Sequence, residues 1–160
     1  MKVFILGGAE MLFGNEYGYL NLEQLIDTTD NELIIVISQT KKIEPFVNTH
    51  EDEKLHNLLS KSMQLISDDT QTYKIYFENY IMYQGRNESY AYNSDDHISV
   101  GQGLILFEKS KLLDYYNDVI DVLVAMSMQQ KSKLQHYGIY TLNNIIDVIT
   151  FYEPVIEKVN

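Results

Sequence analysis

"SKLLDYYNDVIDVLVAMSMQQK", residues 110–131, carries the strongest periodic signal in the chain, and the expected fold class turns on it. Leu112, Tyr116, Val119, Leu123 and Met126 follow one another at steps of four or three, the spacing that stacks side chains on one helical face. Ser110 stands where an N-cap oxygen is wanted, and Lys131 and Lys133 suit the negative pole of a helix dipole. The pattern predicts one long helix over about 111–131.

On either side of it the chain reads as strand. "GQGLILFEKS" before it is a strand ending near Phe107. "HYGIYTL" and "IIDVITFY" after it flank Asn143-Asn144, a pair suited to a turn, which predicts a C-terminal hairpin with a single long strand as the alternative. Upstream, Tyr73, Ile75 and Phe77 alternate with Lys74, Tyr76 and Glu78, the period of a half-buried strand. Asp68-Asp69-Thr70-Gln71 reads as a hairpin turn between that strand and "MQLIS", because short Asx side chains tolerate tight backbone. "LIIVIS", residues 33–38, is a β-branched run fit for burial. "NLEQLIDTTDNE" predicts one or two helical turns with Leu22, Leu25 and Ile26 on one face, and Glu51 to Ser60 a second short helix. "MKVFIL" is left open between strand and helix.

The expected fold class is therefore α+β. A mainly antiparallel sheet carries one long helix at about 111–131, with short helices in the N-terminal half, in a single domain over 1–160.

Composition narrows the function. A length of 160 residues, 45% hydrophobic and 22% charged, is that of one globular domain. The 23 acidic against 12 basic residues leave a net charge of −11, which opposes the phosphate neutralisation that nucleic-acid binding needs; it favours encounter with a basic protein, although keeping the protein soluble explains it more simply. The chain has no cysteine, so disulfides and thiolate metal sites are excluded. "MKVFILGGAE" is too short and too soon interrupted for a secretory segment, and no window approaches a membrane span, so a cytoplasmic protein without membrane contact is expected.

No stretch brings a reaction with it. Gly7, Gly8 and Gly14 match neither dinucleotide nor phosphate-loop spacing, and Glu10 would repel phosphate. "HEDEKLH" places Lys54 where a second zinc-binding histidine would stand. Serine, histidine and acidic residues for a nucleophilic triad are present without a G-x-S-x-G elbow. No catalytic, cofactor-binding or metal-binding residue is assigned, and no cofactor is expected.

What remains is an interaction surface. Asp114, Asp118 and Asp121 form one carboxylate stripe on the expected helix, open to a cation or a basic partner, although a solvated outer face explains them as well. "YIMYQGRNESYAY", residues 80–92, sets Tyr83 and Tyr90 about Arg86 and Glu88, which share one face of a strand and can pair. A sheet edge stiffened by cross-strand pairs is the plainer account of the same residues. Alternation sends Tyr80 and Tyr83 to opposite faces, and Gly85 is expected to mark a bulge.

The pattern Phe77-x-x-Tyr80-x-x-Tyr83-x-x-x-Asn87-Glu88-Ser89-Tyr90, with Glu108-Lys109-Ser110-Lys111-Leu112-Leu113-Asp114-Tyr115 and Asn143-x-Ile145-Ile146-Asp147-Val148-Ile149, resembles a family of uncharacterised small bacterial proteins. Their size and acidity are similar to those of immunity-type proteins that neutralise toxins. The resemblance supports the fold class and leaves function open; the charge of −11, the missing motifs and the tyrosine-rich segment lead to the expectation of a non-enzymatic, immunity-like protein that binds a basic protein partner. The competing expectation is a small-molecule binder or enzyme with its pocket between the long helix and the sheet.

Overall fold

In the computed structural model the described residues are 19–43, 64–91, 98–100, 103–120 and 133–159. They form nine strands, a single 3-10 turn and one helix. In chain order these are β1 (Leu20–Asp27), β2 (Leu33–Ile43), β3 (Gln64–Phe77), β4 (Tyr80–Asn87), the turn Glu88–Tyr90, β5 (Ile98–Val100), β6 (Leu104–Lys109), α1 (Lys111–Val119), β7 (Gln135–Tyr140), β8 (Asn144–Thr150) and β9 (Val155–Lys158). All pairings are antiparallel, in two sheets ordered β1-β2-β3-β9 and β4-β8-β7-β6-β5.

The two sheets meet through their alternate residues. From the first come Leu33, Ile35 and Ile37 of β2, Tyr73, Ile75 and Phe77 of β3 and Ile156 of β9. From the second come Leu104, Tyr137, Ile139, Ile146 and Val148, and all belong to one buried cluster. Phe77 and Tyr137 touch across the interface with ring centroids 5.6 Å apart. Period-two patterning thus explains the core directly, since each sheet can remove one apolar face from water only against the other.

The α+β expectation is corrected by this arrangement: the sheet's cover is a second sheet, and the long helix at about 111–131 is not formed. Ser110 caps α1 as expected, its Oγ accepting from the Leu113 amide at 3.0 Å, but the helix closes after nine residues. Ile120 is extended (φ −69°, ψ 127°) while its N–H still bonds the Tyr116 carbonyl. Two β-branched residues in succession, Val119 and Ile120, weaken helix propensity where the chain leaves it. Of the expected apolar face, Leu112 and Tyr116 are half-buried, Val119 is 51% exposed, and Leu123 and Met126 lie outside the described residues.

Three further expectations change. The helical turns over Leu22–Ile26 are instead strand β1, whose register opposite β2 shifts between Leu22 and Gln24, leaving an extra residue there. Asp68–Gln71 makes no hairpin. β2 runs past it unbroken, Ser38 pairing with Thr72 and Gln39 with Asp68, so the Asx chemistry closes a bulge inside β3: Asp68 accepts from the Thr70 amide and hydroxyl at 3.1 and 2.7 Å. Gly85 pairs regularly with Ile146, and the bulge of β4 sits at Ile81 instead. The expected helix from Glu51 to Ser60 and the segment "MKVFIL" lie outside the described residues. The C-terminal hairpin forms as β7–β8, closed by the Thr141 amide on the Asn144 carbonyl.

The Ile81 bulge matters for the tyrosines. It restores the phase, so that Tyr80 opposite Thr150 and Tyr83 opposite Val148 point to the same inner face. Both pack on the core, with their rings edge to face at 5.3 Å, and the expected split between the two faces is absent.

Candidate functional site

β8 is buried along six consecutive residues, Ile145–Thr150, so its outward-facing side chains are covered as well as its inward ones. At one end of the outer face lies an apolar contact in which Leu113, Leu134 and Ile149 are buried with Met82, Leu112, Tyr116, Ile120 and Phe151 against them. Next to Ile149 on that face, one full strand period back, stands a charge, Asp147, which is 1% exposed.

Register brings its partners to it. Gln84 of β4 and Gly138 of β7 lie directly opposite Asp147, so Arg86 and His136 stand on the same face, one step away on either side. Asp147 accepts from Arg86 Nε at 2.7 Å, Arg86 Nη2 at 3.2 Å, Gln84 Nε2 at 2.9 Å and His136 Nε2 at 3.2 Å. Burial by itself would raise its pKa. The hydrogen bonds from His136, Arg86 and Gln84 overcome that and hold the carboxyl down at about 2.

An ionised carboxylate only accepts, so His136 turns an Nε2–H towards Asp147. Facing Nδ1 at 2.7 Å is the Ser110 hydroxyl, which hydrogen-bonds the ring while accepting the Leu113 amide as helix cap. Phe107 stacks on the imidazole at 4.3 Å with planes 18° apart. Gly138 is required beneath this stack, because a Cβ there would meet Phe107 Cε2 at 2.8 Å and Tyr140 Cε2 at 3.0 Å.

Serine, histidine and aspartate in a chain of hydrogen bonds, with the serine between a strand and a helix, have the composition of a hydrolytic triad. The wiring is different in chemical consequence. The Ser110 hydroxyl is already engaged by the His136 ring and the Leu113 amide, and Ser110, His136 and Asp147 are 1%, 3% and 1% exposed, so the oxygen is shielded from solvent rather than presented to it. Ser110 Oγ, both His136 ring nitrogens and both Asp147 oxygens are engaged within the network, whose effect is to fix the helix cap, the β6–β7–β8 register and Arg86 in one arrangement.

The sequence-derived interaction surface is dispersed. Tyr83 faces the core, half-buried; Arg86 is bound to Asp147 rather than to Glu88; Glu88 and the 87% exposed Tyr90 lie in the 3-10 turn beyond the end of β4. Asp114 and Asp118 are exposed on α1, and Asp121 lies outside the described residues. Sequence reasoning did not select Ser110, His136, Gln84 and Asp147 as a group. The signal present was the lone aspartate inside "IIDVI", a charge that burial on both faces obliges to find partners.

A second polar grouping forms where two turns meet. Asp27, Leu33 and Phe77 are aligned across the first three strands, so the β1–β2 turn (28–32) and the β3–β4 turn (78–79) lie side by side. Asn31 (φ 59°) and Asn79 (φ 50°) supply the left-handed residues these turns need. The segments 27–32 and 78–79 contain Asp27, Asp30, Glu32 and Glu78 and no lysine or arginine. Tyr76 donates its hydroxyl to Glu32, and Tyr80 donates to Asp27 Oδ1 at 2.7 Å. Each hydroxyl's pKa is pushed up to about 12, chiefly by the hydrogen bond to its carboxylate; for Tyr76 the charges of Glu32, Glu78 and Asp30 add to this. Among the described residues no group of three or more histidine or carboxylate side chains is arranged to hold a metal ion, and no helix is long and apolar enough to cross a membrane.

No protein-family model, curated protein or solved structure matches this chain.

Proposed function

We propose that the protein is a non-enzymatic binding protein that uses its acidic surface against a basic protein partner, in the manner of immunity-type proteins of similar size and acidity. The observation that carries the reading is the contrast between its two polar groupings. The constellation with catalytic residue types is buried and internally hydrogen-bonded, whereas at the 27–32 and 78–79 turns Asp27, Asp30 and Glu78 are exposed and Glu32 is half-buried, with no basic residue among them. A surface of that kind raises the encounter rate with a positively charged partner and discriminates against acidic ones. The net charge of −11 supports the same partner class and opposes nucleic acid. The rival reading, a ligand pocket between helix and sheet, gains least: Leu112, Leu113, Tyr116 and Ile149 fill that contact.

The test is affinity capture at graded salt, with wild-type protein and the charge-neutralised variant Asp27→Asn/Asp30→Asn/Glu32→Gln/Glu78→Gln as parallel baits. A basic protein retained by the wild type, released by salt and absent from the variant is the expected result. Equal recovery on both baits, or recovery of acidic proteins only, refutes it.

A further inference from the structure

The outer face of the first sheet carries a continuous apolar row. Register places Ile26 of β1 opposite Ile34 of β2, Ile34 opposite Tyr76 of β3, and Tyr76 opposite Val155 of β9. Each alternates with a residue that faces the second sheet, such as Ile35, Ile75 and Ile156, which fixes the row on the outside. Ile26 is 43% exposed, and Ile34, Tyr76 and Val155 are half-buried. The next row outward is Gln24, Val36, Lys74 and Glu157, in which Val36 extends the apolar surface and Lys74 faces Glu157. Neither buried cluster among the described residues includes Ile26, Ile34, Val36 or Val155.

The acidic turns border this row at one side. Tyr76, a member of the row, is hydrogen-bonded to Glu32, and Asp30 and Glu78 act on the same hydroxyl. We propose that this face is the docking surface of the basic partner: a protein segment whose apolar stripe lies along Ile26, Ile34, Tyr76 and Val155 while flanking lysines or arginines meet Asp30, Glu32 and Glu78. The inference rests on the reading above and specifies where that partner binds.

Charge complementarity selects this occupant. A second copy would bring another −11 and the same carboxylates to the contact, and an anionic lipid surface or nucleic acid would be repelled in the same way. Four strands spaced about 4.8 Å apart make a row about 14 Å long, the length of about ten residues of helix at 1.5 Å per residue. A short amphipathic basic helix fits that length.

The probe is a synthetic helical peptide of about 14 residues, leucine on one face and lysine on the flanks, compared with a scrambled peptide of identical composition. Amide shifts of the isotope-labelled protein are followed during titration. The amphipathic peptide should shift Ile26, Ile34, Val36, Tyr76 and Val155 together with Glu32 and Glu78, and bind more tightly than the scramble. Asp30→Asn/Glu32→Gln/Glu78→Gln should weaken it about tenfold and flatten its salt dependence, and Ile34→Asp should weaken it at least as much. Asp114→Asn/Asp118→Asn should change nothing. Salt-dependent binding with shifts centred on α1 or on the 3-10 turn overturns the surface and leaves the acidic-binder reading standing. Equal binding of the scramble at the same amides overturns the role of the apolar row. Concentration-dependent shifts of these amides without peptide would make the face a self-contact and overturn the proposal. Absence of salt-dependent binding to either peptide overturns both.

Discussion

Replacing Asp147 by asparagine keeps the shape of the side chain and removes the charge on which four hydrogen bonds converge. Two routes give its cost. Breaking a buried ion pair by removing one partner costs about 3–5 kcal/mol when the other charge is stranded. Here Arg86 is 34% exposed and can regain water, which puts the value at the low end, about 3 kcal/mol. From titration, a carboxyl held at about 2 instead of 3.8 favours the folded state by about 2 kcal/mol at neutral pH, at about 1.4 kcal/mol per pH unit. The expected loss is therefore about 2–3 kcal/mol. With a urea m-value on the order of 2 kcal/mol/M, the unfolding midpoint should fall by about 1–1.5 M. Arg86→Met made on top of Asp147→Asn should cost little more, because the guanidinium has already lost its main partner, and the cycle should show a coupling of about 1–3 kcal/mol. A loss under about 1 kcal/mol for Asp147→Asn, or strict additivity of the two substitutions, would refute the account of this network as the tie between β4, β7 and β8.

The same carboxyl sets an acid limb. Its folded pKa of about 2 lies below the unfolded 3.8, so its contribution is complete above about pH 4 and is lost as pH falls towards 2. Equilibrium unfolding from pH 5 to 2 should show that decline of about 2 kcal/mol in the wild type and a correspondingly shallower one in Asp147→Asn. Tyr80→Ala and Tyr83→Ala should each cost about 1–3 kcal/mol, less than a fully buried ring, and together less than their sum, since the rings touch each other at 5.3 Å; a stability loss from only one of them would contradict the shared face. Gly138→Ala should destabilise by about 1–3 kcal/mol and displace Phe107 from the His136 ring, visible as altered ring-current shifts. Gly85→Ala, where nothing lies within 4 Å of an added Cβ, should be neutral or stabilising by up to about 1 kcal/mol in the same measurement.

Features that depend on nearest neighbours along the chain were legible in the amino-acid sequence. Alternation at Tyr73, Ile75 and Phe77 predicted which side chains enter the core, because the two-residue period of a strand is local geometry. Ser110 was legible as a helix cap for the same reason, as was the turn between β7 and β8. Net charge needs no fold, and the proposed class of partner rests on it.

Features that depend on distant segments emerged only on folding. Residues 111–119 have an apolar helical spacing that the sequence continues beyond them, yet the chain turns extended at Ile120, and what covers the first sheet is a second sheet rather than that helix. A bulge at Ile81 moved Tyr83 from the outer face to the inner one, a one-residue change of phase that hydrophobicity does not report. The β1 segment shows the same limit, since Leu22, Leu25 and Ile26 satisfy a helical period until hydrogen bonds to β2 claim their backbone. Asp147, His136, Arg86 and Ser110 stand far apart in the chain and meet only through the register of four strands, so their pairing could not be read from spacing. The apolar row Ile26, Ile34, Tyr76 and Val155 is likewise a product of register across four strands. Local periodicity fixes which way a side chain points relative to its neighbours; which strand lies opposite is settled by burying two apolar faces at once, a long-range free energy that no single segment contains.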